Sequence, residues 1–175
     1  FYGNLYSLLY SNTDDLCYFN RKMSSSDMIE YNMHNESTAD VYSMWYKIYE
    51  GIKNANSFME SVAGSGYDPE GRYFNEARFL RAYYHFILAQ AWGDVPLRDK
   101  SVTDYRLAPC AASSQYEVLR WSADEMEACV DFYEELYWKN AGYQKEDQDL
   151  APSRVCKNTV HGILARVYLF MAGQT

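Results

Sequence analysis

Apolar side chains recur at helical spacing along most of this chain. The longest stripe consists of Val41, Trp45, Ile48, Ile52, Ala55, Met59 and Val62. Steps of four and three residues place these side chains on one helix face, so the pattern predicts an amphipathic helix. We expect this helix to begin at Ser37, whose hydroxyl can accept from the amide near Asp40, and to end at Gly64. Gly51 lies in its middle, at a cost of about 0.5 to 1 kcal/mol relative to alanine, which predicts the close approach of another helix.

Four other segments show helical periodicity, and no segment alternates as a β-strand does. One lies within residues 1–11, and another runs from a cap at Asp68 to about residue 92. A third begins at Ser114, with Glu117 in the spacing of a capping box. The last follows Pro152 and ends before Gly173. The chain is therefore predicted to be all-α.

The helix within residues 75–97, "NEARFLRAYYHFILAQAWGDVPL", has apolar residues on two flanks. Its polar side chains, Arg78, Arg81 and His85, fall in one narrow strip between those flanks. We therefore expect neighbouring helices on both flanks, with Arg81 paired to a carboxylate or to helix carbonyls. Asp94 is one candidate partner.

Two similar motifs predict a helical repeat. "LRAYYHF" and "LARVYLF" superpose Leu80 on Leu164, Tyr84 on Tyr168 and Phe86 on Phe170, 84 residues apart. A tetratricopeptide repeat is about 34 residues long, so the copies would belong to separate hairpins joined by long loops. This pattern predicts tetratricopeptide-like helical hairpins with long connecting loops.

Composition narrows the functions open to the chain. With 175 residues, of which 48% are hydrophobic, we expect a single domain with a sizeable core. A formal charge of −8 and the lack of any basic run argue against nucleic acid as a partner. Aromatic residues make up 17% of the chain, which suits a flat and polar ligand.

The sequence carries no motif that predicts catalysis, a metal or a cofactor. Cys17, Cys110, Cys129 and Cys156 form no CxxC pair, and we expect buried free thiols, with one disulfide in an oxidising compartment as the alternative. The three histidines do not share ligand spacing, and "KEDQDL" at residues 145–150 lacks the glycine of a calcium loop. No G-x-S-x-G, H-E-x-x-H or P-loop occurs. The chain also begins at Phe1 without a signal segment, so we expect it to be part of a longer precursor.

Four segments in order resemble the SusD/RagB family. "NEARFLRAYYHFILAQAWGDVPL" is similar to the family signature, and "WYKIYEGIKNANSFME" to the helix before it. "SSQYEVLRWSADEMEACVDF" and "SRVCKNTVHGILARVYLFMAG" are similar to the two segments after it. Departures are modest and lie at His85, Trp92 and Cys156. The positions that we assign to this structural signature are Trp45, Tyr49, Asn56, Glu76, Arg78, Arg81, Gly93, Asp94, Pro96 and Arg166.

The resemblance implies a lipid-anchored outer-membrane protein of Bacteroidetes-type bacteria that has no catalytic activity and no cofactor. It implies capture of glycans, or of peptides in some members, and delivery to a SusC-like TonB-dependent transporter. In this family the helical hairpins form the scaffold and face the transporter, while loops and a C-terminal region contact the ligand. Residues 1–175 would then be the N-terminal helical domain, with the lipid anchor outside them.

The segment Asp14 to Ser37 is the strongest candidate for ligand contact. A loop of 24 residues without periodicity is uncommon unless it is functional or disordered. It carries side chains that suit a sugar, with aromatic faces for C–H surfaces and polar groups for hydroxyls: Tyr18, Phe19, Asn20, Arg21, Tyr31 and Asn32. The alternative is a solvated connector with incidental tyrosines.

Other conspicuous residues are expected to serve the fold. Trp45 and Trp92 suit core packing, His85 a hydrogen bond to a neighbour, and Asn56 a bond to a backbone carbonyl across helices. A solvated face is the simplest interpretation of one acidic set, Asp124, Glu125, Glu127, Asp131, Glu134 and Glu135.

Two other functions remain open from the sequence. An intracellular helical-repeat adaptor would hold peptide partners in a groove between helices. A glycoside hydrolase would need two carboxylates opposed across a cleft, and adjacent acids such as Asp14 and Asp15 do not supply that opposition.

Overall fold

A computed structural model of the protein describes residues 34–68, 71–104, 106, 108–139 and 154–173, without the side chains of residues 134–139. These residues form helices α1 (Ala39–Val62), α2 (Arg72–Trp92), α3 (Gln115–Lys139) and α4 (Lys157–Ala172). The chain divides into two compact units, Phe1–Glu50 and Gly51–Thr175. In the described part the only β-pairing is one isolated antiparallel bridge between Val95 and Ser113. The predicted all-α fold class is confirmed, whereas the helix predicted within residues 1–11 lies outside the described residues.

Helix α1 carries the predicted stripe but begins later than predicted. Of its seven stripe residues, all are buried except Trp45 and Val62, which are half-buried. The prediction of a start at Ser37 is wrong, because the preceding turn continues to Thr38. The Thr38 amide donates to the Asn35 carbonyl, and the Thr38 hydroxyl accepts from the Asn35 amide, each at 3.0 Å. Regular helix therefore begins at Ala39.

The close approach predicted at Gly51 is confirmed. A Cβ placed on Gly51 would lie 2.7 Å from Cε2 of Tyr84 on α2. Any larger residue at this position must displace the tyrosine ring. Glycine destabilises the helix slightly at this position, but its missing Cβ lets the Tyr84 ring pack against α1.

We expect Gly51→Ala to lower the free energy of unfolding by about 1 kcal/mol, because the added methyl group displaces the Tyr84 ring. In a Tyr84→Ala background the same change should raise stability by about 0.5 to 1 kcal/mol, the helix-propensity gain of alanine. Urea unfolding of the four proteins measures this cycle. Equal effects of Gly51→Ala in both backgrounds would show that the ring does not require the glycine.

Helix α2 begins at Arg72, so the prediction of a start at Asp68 places it too early. Asp68 still serves the helix start, because its Oδ2 accepts from the Phe74 amide at 2.7 Å. The chain first turns through Gly71, whose φ of 72° is in the left-handed region that favours glycine. At the other end the predicted stop is confirmed, since α2 ends at Trp92 and Gly93 follows with φ 75°.

Helix α3 packs against both α2 and α4. Its predicted capping box is present, with the Ser114 amide donating to Glu117 Oε2 at 2.9 Å and the Glu117 amide donating to the Ser114 hydroxyl at 3.3 Å. Its buried face consists of Val118, Leu119, Ser122, Ala123, Met126, Cys129 and Tyr133. These contacts hold α2, α3 and α4 together.

Helix α4 begins at Lys157, after Cys156, and buries Val160, Leu164 and Val167. The two motifs of the predicted repeat meet directly, because the rings of Phe86 and Phe170 lie 6.2 Å apart in an edge-to-face arrangement. Their first leucines differ, since Leu164 is buried whereas Leu80 is 39% exposed. The two motifs therefore lie on helices that contact each other, but their matching leucines differ in solvent exposure.

Candidate functional site

Two arginines of α2 converge on one carboxylate of α3. Arg78 donates from Nε and Nη2 to the two oxygens of Glu125, at 3.1 and 2.8 Å. Arg81 donates from Nη2 to Glu125 Oε2 at 2.5 Å. Burial by itself raises the pKa of Glu125, but the hydrogen bonds from both guanidinium groups outweigh it and hold that pKa below its usual value. Glu125 is therefore an ionised carboxylate held between two cations.

Arg81 also binds groups outside α3. Its Nη1 donates to Asn56 Oδ1 at 2.8 Å and to the backbone carbonyl of Asp99 at 2.5 Å, while its guanidinium carbon lies 5.2 Å from the Trp121 ring centroid. Asn56 in turn donates from Nδ2 to the Arg98 carbonyl at 3.1 Å, so the predicted backbone-carbonyl acceptor is present but lies in the segment after α2 and not on a neighbouring helix. One nearly buried cation thus joins α1, α2, α3 and the segment after α2.

One expectation about these charges is wrong, and one candidate pairing does not form. Glu125 does not belong to a solvated face, because its carboxylate is 14% exposed and is bound by both arginines. The predicted pairing of Arg81 with a carboxylate is confirmed, but the partner is Glu125 and not the candidate Asp94. Asp94 instead accepts from the Gln115 amide at 2.8 Å, at the start of α3.

His85 is fully buried one helical turn after Arg81. Its Nδ1 lies 2.9 Å from the Arg81 carbonyl, and its Nε2 accepts from the Arg98 amide at 3.1 Å. The acceptor role of Nε2 fixes the neutral tautomer with its proton on Nδ1, which donates to that carbonyl. Burial lowers the pKa of His85 to about 4. The predicted hydrogen bond of His85 is confirmed, and the neutral ring holds the chain after α2.

The network formed by Asn56, Arg78, Arg81, His85 and Glu125 anchors residues 98–101. The Arg98 amide and carbonyl and the Asp99 carbonyl all bind its buried side chains. At the surface, the Ser101 amide donates to Glu60 Oε1 at 2.8 Å, and the hydroxyls of Ser57 and Ser101 lie 3.1 Å apart. These backbone amides and carbonyls of residues 98–101 therefore find their hydrogen-bond partners in side chains and not in a β-sheet.

A second ion pair joins the start of α2 to the segment before α4. Arg154 donates from Nε and Nη2 to the two oxygens of Glu76, at 2.9 and 2.5 Å. The guanidinium carbon also lies 4.9 Å from the Tyr73 ring centroid. Glu76, a position of the predicted structural signature, therefore links α2 to the segment before α4 through a bidentate ion pair.

The remaining signature residues lie at helix ends or on helix surfaces. Trp45 and Tyr49 pack ring to ring on α1, with centroids 4.9 Å apart. Pro96 is half-buried beside the Val95 bridge, and Arg166 is exposed on α4. Trp92 is half-buried at the end of α2.

The predicted ligand-contact residues do not fall in the described part of the chain. Tyr18, Phe19, Asn20, Arg21, Tyr31 and Asn32 all lie outside the described residues. Of their segment, only residues 34–37 are described, in the turn that precedes α1. The assignment of ligand contacts to this segment stays a prediction.

The described cysteines are free thiols in three different environments. Cys129 is buried, and its thiol donates to the Asn75 carbonyl at 3.6 Å. Burial raises the pKa of this thiol to about 12, so it is protonated at neutral pH. Cys110 is exposed and Cys156 half-buried, so the expectation of buried thiols is correct only for Cys129. Cys17 lies outside the described residues.

The site is suited to holding a fold together. Its carboxylate is bound by two arginines, and its histidine makes hydrogen bonds through both ring nitrogens. Within the ranges that the structure describes, no group of three or more His, Cys, Asp or Glu side chains is arranged to hold a metal ion. Among the same residues, no helix combines the length and hydropathy that crossing a bilayer requires.

Sequence reasoning found both arginines but missed their partner. Glu125 lies three residues after buried Ser122 and four before buried Cys129, so its spacing placed it beside the inward face of α3. Because Glu125 lies among other acidic residues, its spacing relative to the buried face did not distinguish it from a solvated carboxylate. The pairing of Glu76 with Arg154 spans 78 residues and left no local pattern.

Comparisons with known proteins agree on one family. A model of the SusD-like family, described as starch-binding and associating with the outer membrane, matches residues 4–169. No curated protein gives a significant match. Among solved structures, a SusD superfamily protein from Bacteroides vulgatus is 16% identical with a TM-score of 0.73, covering 98% of this chain and 34% of that one.

Two further structures have the same fold. Surface glycan-binding protein A from Bacteroides uniformis is 21% identical with a TM-score of 0.69, covering 85% of this chain and 32% of that one. A SusD-like protein from Bacteroides fragilis is 21% identical with a TM-score of 0.65, covering 82% of this chain and 26% of that one. The chain therefore spans about a quarter to a third of the length of these structures. Because the family model covers nearly all of its residues, the chain belongs to the SusD-like family of starch-binding proteins associated with the outer membrane.

Proposed function

We propose that the protein binds glycan nutrients at the cell surface without catalysis and delivers them to a SusC-like TonB-dependent transporter. The observation that carries this proposal is the family match over residues 4–169, whose description names starch binding and the outer membrane. The likeness to a surface glycan-binding protein from Bacteroides uniformis supports a glycan over a peptide as the ligand. A lipid anchor outside residues 1–175 would hold the protein at the membrane.

In this proposal the described helices are a scaffold. The ion pairs that half-buried Arg78 and buried Arg81 make with Glu125 fix α2 against α3, and Arg81 also secures the chain that leaves α2. Packed helices such as α2 and α3 can hold the loops that connect them in constant positions. The non-catalytic assignment is consistent with carboxylates that are paired to arginines at this network.

The proposal is tested with the protein expressed in full. Calorimetric titration with starch-derived oligosaccharides should show saturable binding, and chromatography of the sugar after incubation should show no cleavage. Co-purification with the transporter tests delivery. Turnover of a glycan that is lost with one carboxylate substitution would replace the binding function by a hydrolase, and a cytosolic precursor without a lipidation signal would favour the peptide adaptor.

We propose that the segment Asp14 to Ser37 contributes ligand contacts. Tyr18→Ala or Tyr31→Ala should then weaken glycan binding by about 1 to 3 kcal/mol through loss of a stacked aromatic face. Thermal stability should stay at the wild-type value, since a ligand-contact loop carries little of the core. Unchanged calorimetric affinity in both variants would remove this segment as a binding element.

A further inference from the structure

Four aromatic residues cluster on one side of α1, within the first compact unit. Tyr42, Trp45, Tyr46 and Tyr49 follow one another at steps of three, one and three residues, which places them together over two helical turns. Tyr42 is 63% exposed and Tyr46 57% exposed, while Trp45 and Tyr49 are half-buried. We call these four residues the α1 aromatic patch.

The fold does not account for the two exposed tyrosines of this patch. The neighbouring face of α1 already supplies buried side chains from the same unit, namely Val41, Met44 and Ile48. Tyrosine is also a weaker helix former than the Lys, Glu or Ala that suit a solvated helix position. Tyr42 and Tyr46 thus expose large rings where neither core packing nor helix propensity calls for them.

The patch has a rigid base and two accessible rings. Trp45 and Tyr49 pack on each other with centroids 4.9 Å apart and planes inclined at 53°. Tyr42 and Tyr46 are one helical turn apart, a separation of about 5 to 6 Å between Cβ atoms. That separation is of the order of one pyranose unit, so consecutive sugars of a linear chain can each meet one ring.

The described residues that flank the patch along the chain carry more acidic than basic side chains, which does not favour an anionic ligand. Residues 34–50 contain three carboxylates, Glu36, Asp40 and Glu50, and a single lysine, Lys47. Anion recognition relies on clustered arginines or lysines, which this stretch lacks. A phenol ring combines an apolar face with a hydroxyl at its tip, which matches the C–H faces and hydroxyls of a neutral sugar.

We propose that Tyr42 and Tyr46 form a stacking site for a neutral oligosaccharide on the body of the helical scaffold. This inference rests on the proposed glycan-binding function and adds a site distinct from the segment that carries Tyr18 and Tyr31. Helix geometry sets the spacing of the two outer rings, and the half-buried Trp45 and Tyr49 lie beside them on the same face. Binding here needs no bond formation, since it uses only ring faces and phenol hydroxyls.

The test uses the protein expressed in full and maltoheptaose, a linear neutral starch fragment, as the probe. Calorimetric affinity of a Tyr42→Ser, Tyr46→Ser double variant should fall at least about tenfold, the equivalent of 1.4 kcal/mol. Tyr116→Ser is the matched control, because Tyr116 is also a helical tyrosine and is 60% exposed. Its affinity should stay at the wild-type value, and thermal denaturation should show that all variants are folded.

Two further variants separate ring stacking from general apolar contact. A Tyr42→Phe, Tyr46→Phe variant keeps both ring faces and should bind within about threefold of wild type, whereas Tyr42→Leu, Tyr46→Leu should bind as weakly as the serine variant. Equal affinity of the leucine and phenylalanine variants would overturn stacking. The serine variant could instead bind the sugar normally but no longer co-purify with the transporter. That result would show that the patch is a protein-docking surface and would overturn the proposal.

The outcomes also separate this inference from the proposed function. Wild-type affinity in the double serine variant, together with weakened binding in Tyr18→Ala or Tyr31→Ala, would eliminate the patch and leave glycan binding in place. Absence of maltoheptaose binding by the wild-type protein, with binding of another glycan, would remove starch as the ligand class for both sites. Absence of binding to any glycan would remove the proposed function and this inference together.

Discussion

Glu125→Ala is expected to lower the free energy of unfolding by about 3 to 5 kcal/mol, the range for breaking a buried ion pair from one side. Arg81 is 8% exposed and would lose its charge partner while staying in the interior. Arg78 would lose both of its hydrogen bonds to α3 at the same time. The buried guanidinium group of Arg81, left without its charge partner, accounts for more of this effect than the lost attraction does.

Urea unfolding followed by circular dichroism measures this effect, and the next residue in the chain supplies a control. Asp124 pairs with Arg120 at 2.9 Å, but both side chains are about half exposed. Asp124→Ala should therefore change stability by no more than about 0.5 kcal/mol. Similar losses from the two alanine variants would contradict a special role for the Glu125 network.

The Glu125 carboxylate also gives stability a dependence on pH. Its pKa is lower in the folded protein than in the unfolded chain, so its contribution is complete above the unfolded value and is lost as pH falls through the folded value. Glu125→Gln retains an acceptor oxygen but removes the charge. This variant should lose part of the acid dependence of unfolding that the wild type shows below its unfolded-state pKa.

His85→Leu should produce two stability curves that cross as pH is lowered. Near neutral pH the variant should be less stable by about 1 to 3 kcal/mol, because the Arg98 amide loses its acceptor on Nε2. In the wild type the pKa of His85 falls to about 4 through burial, below the ordinary value of 6.5. The neutral ring therefore contributes stability above pH 6.5 that is lost as pH falls towards the folded value, by about 3 kcal/mol in total.

The leucine variant lacks this loss, so it should match or exceed the wild type near pH 4. Free energies of unfolding at several pH values between about 7 and 4 provide the measurement. His161→Phe, at an exposed position of α4, controls for replacing a histidine by an apolar residue at neutral pH. Parallel curves for wild type and His85→Leu would show that His85 does not stay neutral in the fold.

Among the described residues, the existence of the helices and the capped start of α3 were predictable from local sequence, whereas the starts of α1 and α2 were not. The stripe from Val41 to Val62 and the stop at Gly93 depend on spacing and on glycine geometry, which neighbouring residues alone set. The starts of α1 and α2 fall two and four residues later than predicted, at Ala39 and Arg72. Turns before Ala39 and Arg72 decide those starts, because the Thr38 amide donates to the Asn35 carbonyl and the Gly71 amide donates to the Asp68 carbonyl.

The scaffold residues were predictable by type, but their partners were not. The polar strip of Arg78, Arg81 and His85 between two apolar flanks predicted polar side chains in the interior, and such side chains require hydrogen-bond partners. That Glu125 meets both arginines, and that the chain after α2 supplies acceptors at Asp99, follows only from how α2 and α3 pack. The predicted ligand residues lie outside the described part of the chain, so their role stays a proposal.

The sequence by itself determined the helical periodicity, the glycine stops, the Ser114 capping box and the family signature, because each depends on residues within a few turns of one another. Only the tertiary structure decided which carboxylate neutralises Arg81, which ring occupies the space above Gly51 and which tyrosines of α1 face outward. Those outcomes depend on distances between segments that lie far apart in the chain. Such distances are set by packing, which balances buried charge, ring volume and backbone hydrogen bonds across all the helices at once.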